Sequence, residues 1–122
     1  MNKKYIPERN HIIWLDYEPT KGKEIGKYRP SLVISSKIYS KSTGLVICCP
    51  ISTSIRGAKT EVSVNNLDKP SVVATSLIQT FSWKERKAKF IIEAEQDVMP
   101  EVLSRVMLLI GVDQIMKNFL YG

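Results

Sequence analysis

The chain has a single histidine, His11. That count excludes any catalyst that needs two imidazoles, and His11 opens an apolar run, where a structural or solvent-exposed role is expected. It has two cysteines, Cys48 and Cys49, and they are adjacent. Neighbouring side chains on a strand point to opposite faces, so the pair is expected not to bridge and to remain as buried thiols of a reducing compartment. With one histidine and no Cys-x-x-Cys spacing, neither a metal nor another cofactor is expected. No apolar run approaches the ~20 residues of a membrane span, and Met1–Pro7 has no apolar signal region. A cytoplasmic protein with no membrane partner is therefore expected. The chain also lacks a glycine-rich phosphate loop before a helix, a nucleophile elbow, an internal repeat and a linker.

What is present suits one domain spanning residues 1–122, since 122 residues can bury a core without a staple. Hydrophobic residues make up 43% and charged residues 25%, which places the chain among globular domains and not disordered ones. Lysine and arginine exceed the acids by 18 to 12, a net charge of +6. That balance favours a polyanionic partner, most simply nucleic acid, and attracts an acidic protein equally.

Short β-type runs recur from the start. His11–Tyr17 ends at Glu18-Pro19, Ser31–Ser36 follows Pro30, and Leu45–Ile51 follows a turn at Lys41–Gly44. Thr60–Val64 alternates polar and apolar residues. Ser71–Thr75, Leu77–Phe81 and Lys89–Ala94 complete about seven strands. After Asp97 the period changes. Pro100-Glu101 suits a first helical turn, and Leu103, Val106, Met107 and Ile110 recur at helical spacing before Gly111 interrupts them. The segment after Gly111 either continues that helix or forms a second one. Short strands with regular turns indicate a small barrel or sandwich.

The long segment from Glu18 to Pro30 is read as a loop. It carries Lys21, Lys23, Lys27 and Arg29 around one carboxylate, Glu24, a grouping suited to chemistry at a phosphate. RNA supplies its own nucleophile, the 2′-OH. A protein that cuts it must orient that hydroxyl, help remove its proton and stabilise the phosphorane charge. The guanidinium of Arg29 suits the last task and Glu24 the proton; each also serves as a solvated loop charge. Two further groups fit phosphate or base contacts. Ser52–Lys59 mixes hydroxyls with cations, and Trp83–Lys89 sets an aromatic beside four cations. An ordinary turn has the composition of the first, and a tryptophan placed in the core accounts for the second.

Taken in order, the residues resemble the MazF/PemK family of toxins. The matching features are Tyr5-Ile6-Pro7, then Ile13–Gly22, Glu24 and Arg29-Pro30, then Tyr39, Thr43-Gly44, Pro50–Thr53, Gly57, Glu61-Val62 and Trp83, across about residues 5–111. The resemblance implies a mainly β (α+β) fold: a small SH3-like β-barrel of about seven strands with a C-terminal helix, CcdB/MazF-like. It implies a homodimeric endoribonuclease toxin that cuts single-stranded RNA, chiefly mRNA, without a metal and leaves a 2′,3′-cyclic phosphate and a 5′-OH. An acidic antitoxin would neutralise it, in keeping with the +6 charge. Under this resemblance Arg29 stabilises phosphorane charge, Glu24 assists proton removal and Ser52, in place of the usual threonine, binds a phosphate oxygen. Thr53, Lys59, Lys84, Arg86, Lys21 and Gln79 are the expected RNA contacts.

The chain leaves the family pattern in three places. Asn10-His11 replaces Gly-Asp. Ser76-Leu77-Ile78-Gln79 replaces a charged stripe. A C-terminal helical extension is expected from about residue 112. Two alternatives stay open: a CcdB-like poison of DNA gyrase, and an RNA-binding member of weakened activity.

Overall fold

Proline sets where the sheet of this protein can branch. A computed structural model describes residues 5–18 and 27–121. Its third strand, β3 (Leu45–Ser52), pairs antiparallel with β2 (Tyr28–Val33) on one side. On the other side its first half pairs with β6 (Gln79–Ser82), from Leu45↔Ser82 to Cys48↔Gln79. Its end pairs with β5 (Ser71–Ala74), at Ile51↔Val73 and Ser52↔Val72. Pro50 sits in the gap between the two partners. A residue without an N–H costs nothing where the ladder changes hands. The order of the sheet is β4-β5-β3-β2-β1-β7, with β1 (His11–Asp16), β4 (Glu61–Val64) and β7 (Lys89–Glu93). The result is the expected mainly β fold: a curled antiparallel sheet of seven strands followed by helices.

The sheet is buried on both faces, so its strands read as apolar runs and not as clean alternation. Ile12, Leu32, Cys49, Ile51, Val62 and Val73 lie in one core, against Val98, Val102 and Val106 of helix α2 (Val98–Leu109). Ile13, Leu15, Tyr17, Val33, Val46, Cys48 and Trp83 lie in the other, packed by Tyr5, Ile6, Phe81 and Ala88. Cys48 and Cys49 thus occupy different cores as unbridged thiols, both fully buried.

Two readings of the sequence are corrected and one is completed. Arg29 and Pro30 are strand residues, not loop residues: Arg29 pairs with Leu15 and Pro30 with Trp14. Pro30 is tolerated because the β3 ladder starts at Ser31↔Pro50, so no partner on that side needs its N–H. Lys41–Thr43 is not a turn but the end of helix α1 (Lys37–Thr43). Ser36 caps that helix by accepting from Tyr39 N at 3.2 Å, and Gly44, at φ 74°, closes it with its N–H on Ser40 O. Finally, α2 turns Val98, Val102 and Val106 inward, while Met107 and Ile110 are exposed. The helical spacing expected after Asp97 is thus present, and the helix is apolar on more than one side. Gly111, at φ 82°, ends α2, and a separate helix α3 (Val112–Tyr121) follows. No helix among the described residues is long and apolar enough to cross a membrane.

Candidate functional site

The two leading candidates come from neighbouring strands. The β2–β3 register ends at Ser31↔Pro50, and Arg29 lies two residues before that pair on β2 while Ser52 lies two residues after it on β3. Alternation puts both on the face of the sheet that carries Ser31, Val33, Val46 and Cys48. Gln79, paired with Cys48, lies farther along the same face. Glu24 and Lys21 fall outside the described residues, as does Lys23.

Beneath this row lies a neutral polar layer. Tyr17 Oη and Ser31 Oγ are 2.5 Å apart, and Cys48 Sγ is 3.9 Å from the phenol. Burial pushes the Tyr17 phenol well above its ordinary range and the Cys48 thiol up to about 12. Both therefore stay uncharged, and the layer adds no charge of its own under Arg29.

Ser52 ends β3 in a short hydroxyl turn. Its Oγ accepts from Ser54 N at 3.0 Å, which leaves its proton to donate. It lines a groove of about 330 Å³ together with Ser54, Arg56, Thr60, Ser76 and Leu77. The chain's neutral Ser76-Leu77 segment is thus a wall of the same groove as Ser52. The loop after Ser52 is held by Glu61, whose Oε1 accepts from Arg56 N, Gly57 N and Ala58 N at 3.1, 2.9 and 3.3 Å.

The remaining expected contacts separate. Arg86 is built into the base of the β1–β2 connection: its Nη1 donates to Asp16 O at 3.3 Å and to Glu18 O, and its guanidinium lies 4.7 Å over the Phe81 ring. Glu18 closes the same base by accepting from Lys27 N at 3.0 Å. Lys84 is exposed, its Nζ 5.4 Å over Trp83, while Trp83 itself is core and donates from Nε1 to Ser40 O at 2.8 Å. Lys59 is exposed, and its carbonyl accepts from Arg105. Thr53 lines a different cavity, of about 450 Å³, with Trp14, Pro30, Leu67 and Ile92. Sequence reading missed the organising roles of Glu61, Glu18 and the Tyr17–Ser31 pair. Only their partners in space reveal them, and no spacing along the chain does. Among the described residues, no group of three or more His, Cys, Asp or Glu side chains gathers as a ligand set.

Comparison with known proteins gives the family. The chain is 30% identical over 112 residues to the endoribonuclease toxin MazF of Escherichia coli K12, covering 92% of this chain and 97% of that protein. It is 25% identical to the Escherichia coli endoribonuclease PemK, covering 87% and 84%. The crystal structure of MazF from Deinococcus radiodurans superposes with a TM-score of 0.84 at 34% identity, covering 88% of this chain and 99% of that one. A MazE–MazF complex from the same organism gives 0.79, also at 34% identity, with coverage of 88% and 98%. The family model of the PemK-like, MazF-like toxins of type II toxin–antitoxin systems matches residues 8–110, and the chain belongs to that family.

Proposed function

We propose that this protein is an endoribonuclease toxin that cleaves single-stranded RNA, chiefly mRNA, at short sequences, acting as a homodimer in the cytoplasm. The observation that carries the reading is the match of residues 8–110 to the MazF-like family, and the side of Arg29 on β2 that alternation shares with Ser52 on β3 supports it. Residues 1–122 are read as one toxin domain. Its antitoxin is an acidic protein, which the net charge of +6 attracts; MazF of Deinococcus radiodurans has been crystallised with MazE.

In the proposed reaction the 2′ oxygen attacks the adjacent phosphorus. Glu24 takes the 2′ proton, the P–O2′ bond forms and the P–O5′ bond breaks. Water protonates the leaving 5′ oxygen, so the products are a 2′,3′-cyclic phosphate and a 5′-OH. Arg29 binds the non-bridging oxygens as charge builds on the phosphorane. Its guanidinium, with a pKa above ~12, is a poor acid, and electrostatic stabilisation is its role. Ser52 donates to a phosphate oxygen. Neither step calls for a metal.

A second reading, an RNA-binding member of reduced catalytic strength, is favoured by the neutral groove wall of Ser76 and Leu77. One experiment tests both. Purified protein is incubated with a long RNA in EDTA, and fragments and their 5′ ends are followed. Discrete fragments with 5′-OH ends are expected, reduced roughly 10²-fold or more in Arg29→Ala and Ser52→Ala variants that still fold. RNA retained on a gel without fragments supports the weaker member. RNA neither bound nor cut at high protein excess overturns both.

A further inference from the structure

Helix α3 (Val112–Tyr121) begins beyond residue 110, where the family match ends. It carries apolar residues at 112, 115, 116, 119 and 120, the spacing of one helical stripe. None of its residues is buried: Ile115 is 63% exposed, Phe119 88% and Leu120 65%. The last turn of α2 adds three more exposed apolar side chains, Leu108, Leu109 and Ile110. A stripe of exposed apolar side chains along one helix marks an interaction surface.

Charge selects the partner. The chain as a whole carries +6, yet α3 has one acid, Asp113, and one base, Lys117, and is neutral. A polyanion such as RNA or an acidic antitoxin finds no field there. A lipid surface is held by helices rich in Lys and Arg on the polar face, and α3 has a single Lys. A second α3 fits on both counts. Two stripes of the same apolar residues are self-complementary about a two-fold axis. In the antiparallel order the macrodipoles oppose, and the acidic first turn of each helix lies toward the half of the other that carries Lys117.

We propose that α3 docks on α3 of a second copy, antiparallel, as a self-association surface this chain adds to the family fold. The proposal deepens the homodimeric reading above, and sedimentation velocity across a concentration series separates the two. The samples are the full chain, a chain ending at Gly111, and Ile115→Glu/Phe119→Glu. The expected result is an association constant weakened about 100-fold or more in both altered forms, with the thermal transition of the barrel kept. Unchanged association in both forms overturns the role of α3 while leaving a dimer formed through the barrel. A full chain that is monomeric at every concentration overturns both readings. Oxidation of Met116→Cys, at mid-helix, is expected to cross-link two copies, whereas Leu120→Cys does so poorly. Equal cross-linking overturns the antiparallel order. Co-sedimentation of the full chain with phosphatidylcholine vesicles, lost on truncation, overturns the proposal in favour of a lipid surface.

Discussion

Tyr17 Oη lies 2.5 Å from Ser31 Oγ, and Ser31 stands two residues along β2 from Arg29. The strand bearing the cation is thereby tied to the residue that follows β1 by a buried hydroxyl pair, as well as to β1 by its ladder. Tyr17→Phe leaves the fully buried Ser31 hydroxyl with only the Cys48 thiol, a weak partner. The expected cost is about 1–3 kcal/mol of stability, read from urea unfolding, with cleavage reduced far less than by Arg29→Ala. A stability unchanged by the substitution would show that the pair does not hold the strand.

Ser52 offers one proton to a phosphate, since its oxygen already accepts from Ser54 N. Losing one such donor costs roughly 10²–10³ in rate. Ser52→Ala is expected to fall by that amount, and Ser52→Thr, which keeps the hydroxyl, to stay near the parent. Single-turnover cleavage of a short RNA measures both, and equal loss in the two variants refutes the donor role.

Arg86 and Lys84 were grouped by sequence as RNA contacts, but they stand in different surroundings. Arg86 donates to the carbonyls of Asp16 and Glu18, at the base of the connection that leads to Glu24. Its loss is expected to lower both stability and cleavage. Lys84 is exposed, and Lys84→Ala is expected to leave stability alone and to reduce the salt dependence of RNA binding by about one counterion. Binding isotherms at several salt concentrations distinguish the two.

Glu61 gathers three backbone N–H groups of the loop that follows Ser52. Glu61→Ala is expected to destabilise by about 1–2 kcal/mol and to lower cleavage by loosening that loop. Hydrogen exchange at Gly57 and Ala58 reports the loosening directly, and protection equal to the parent's would contradict it.

His11 provides the pH dependence. Burial lowers its pKa from the ordinary 6.5, with Glu93 and Glu8 opposing in part. In the neutral ring with its proton on Nε2, Nδ1 accepts from Tyr5 Oη at 2.7 Å. The unfolded chain binds the proton more readily than the folded one, so stability rises with pH in this window. The contribution is complete above about pH 6.5 and is lost as pH falls through the lower folded value. Thermal melts from pH 7.5 to 5 are expected to show this decline, flattened in His11→Phe. A decline of equal slope in that variant assigns it elsewhere.

Much of this was legible in the sequence. The strand runs are apolar and turn-bounded, so all seven were found, and adjacent cysteines had to face opposite sides. The misreadings share a cause. Pro30 argues locally against a strand, and only the missing β3 partner beside it removes the objection. Lys41–Gly44 reads as a turn because the capping role of Ser36 is visible only once Tyr39 folds back onto it. At the site, Arg29 and Ser52 were nameable by resemblance, but that they lie on adjacent strands is a property of the sheet. Glu61 was matched by resemblance, but its hold on three backbone groups has no sequence signature.

Cys48 and Cys49 give this protein two built-in reporters one residue apart. Each thiol is sealed by a different core, so a thiol reagent reaches one only when the α2 side opens and the other only when the Trp83 side opens. Chains keeping a single cysteine would time the two openings separately, and so reveal whether the halves of this small protein come apart together or in sequence.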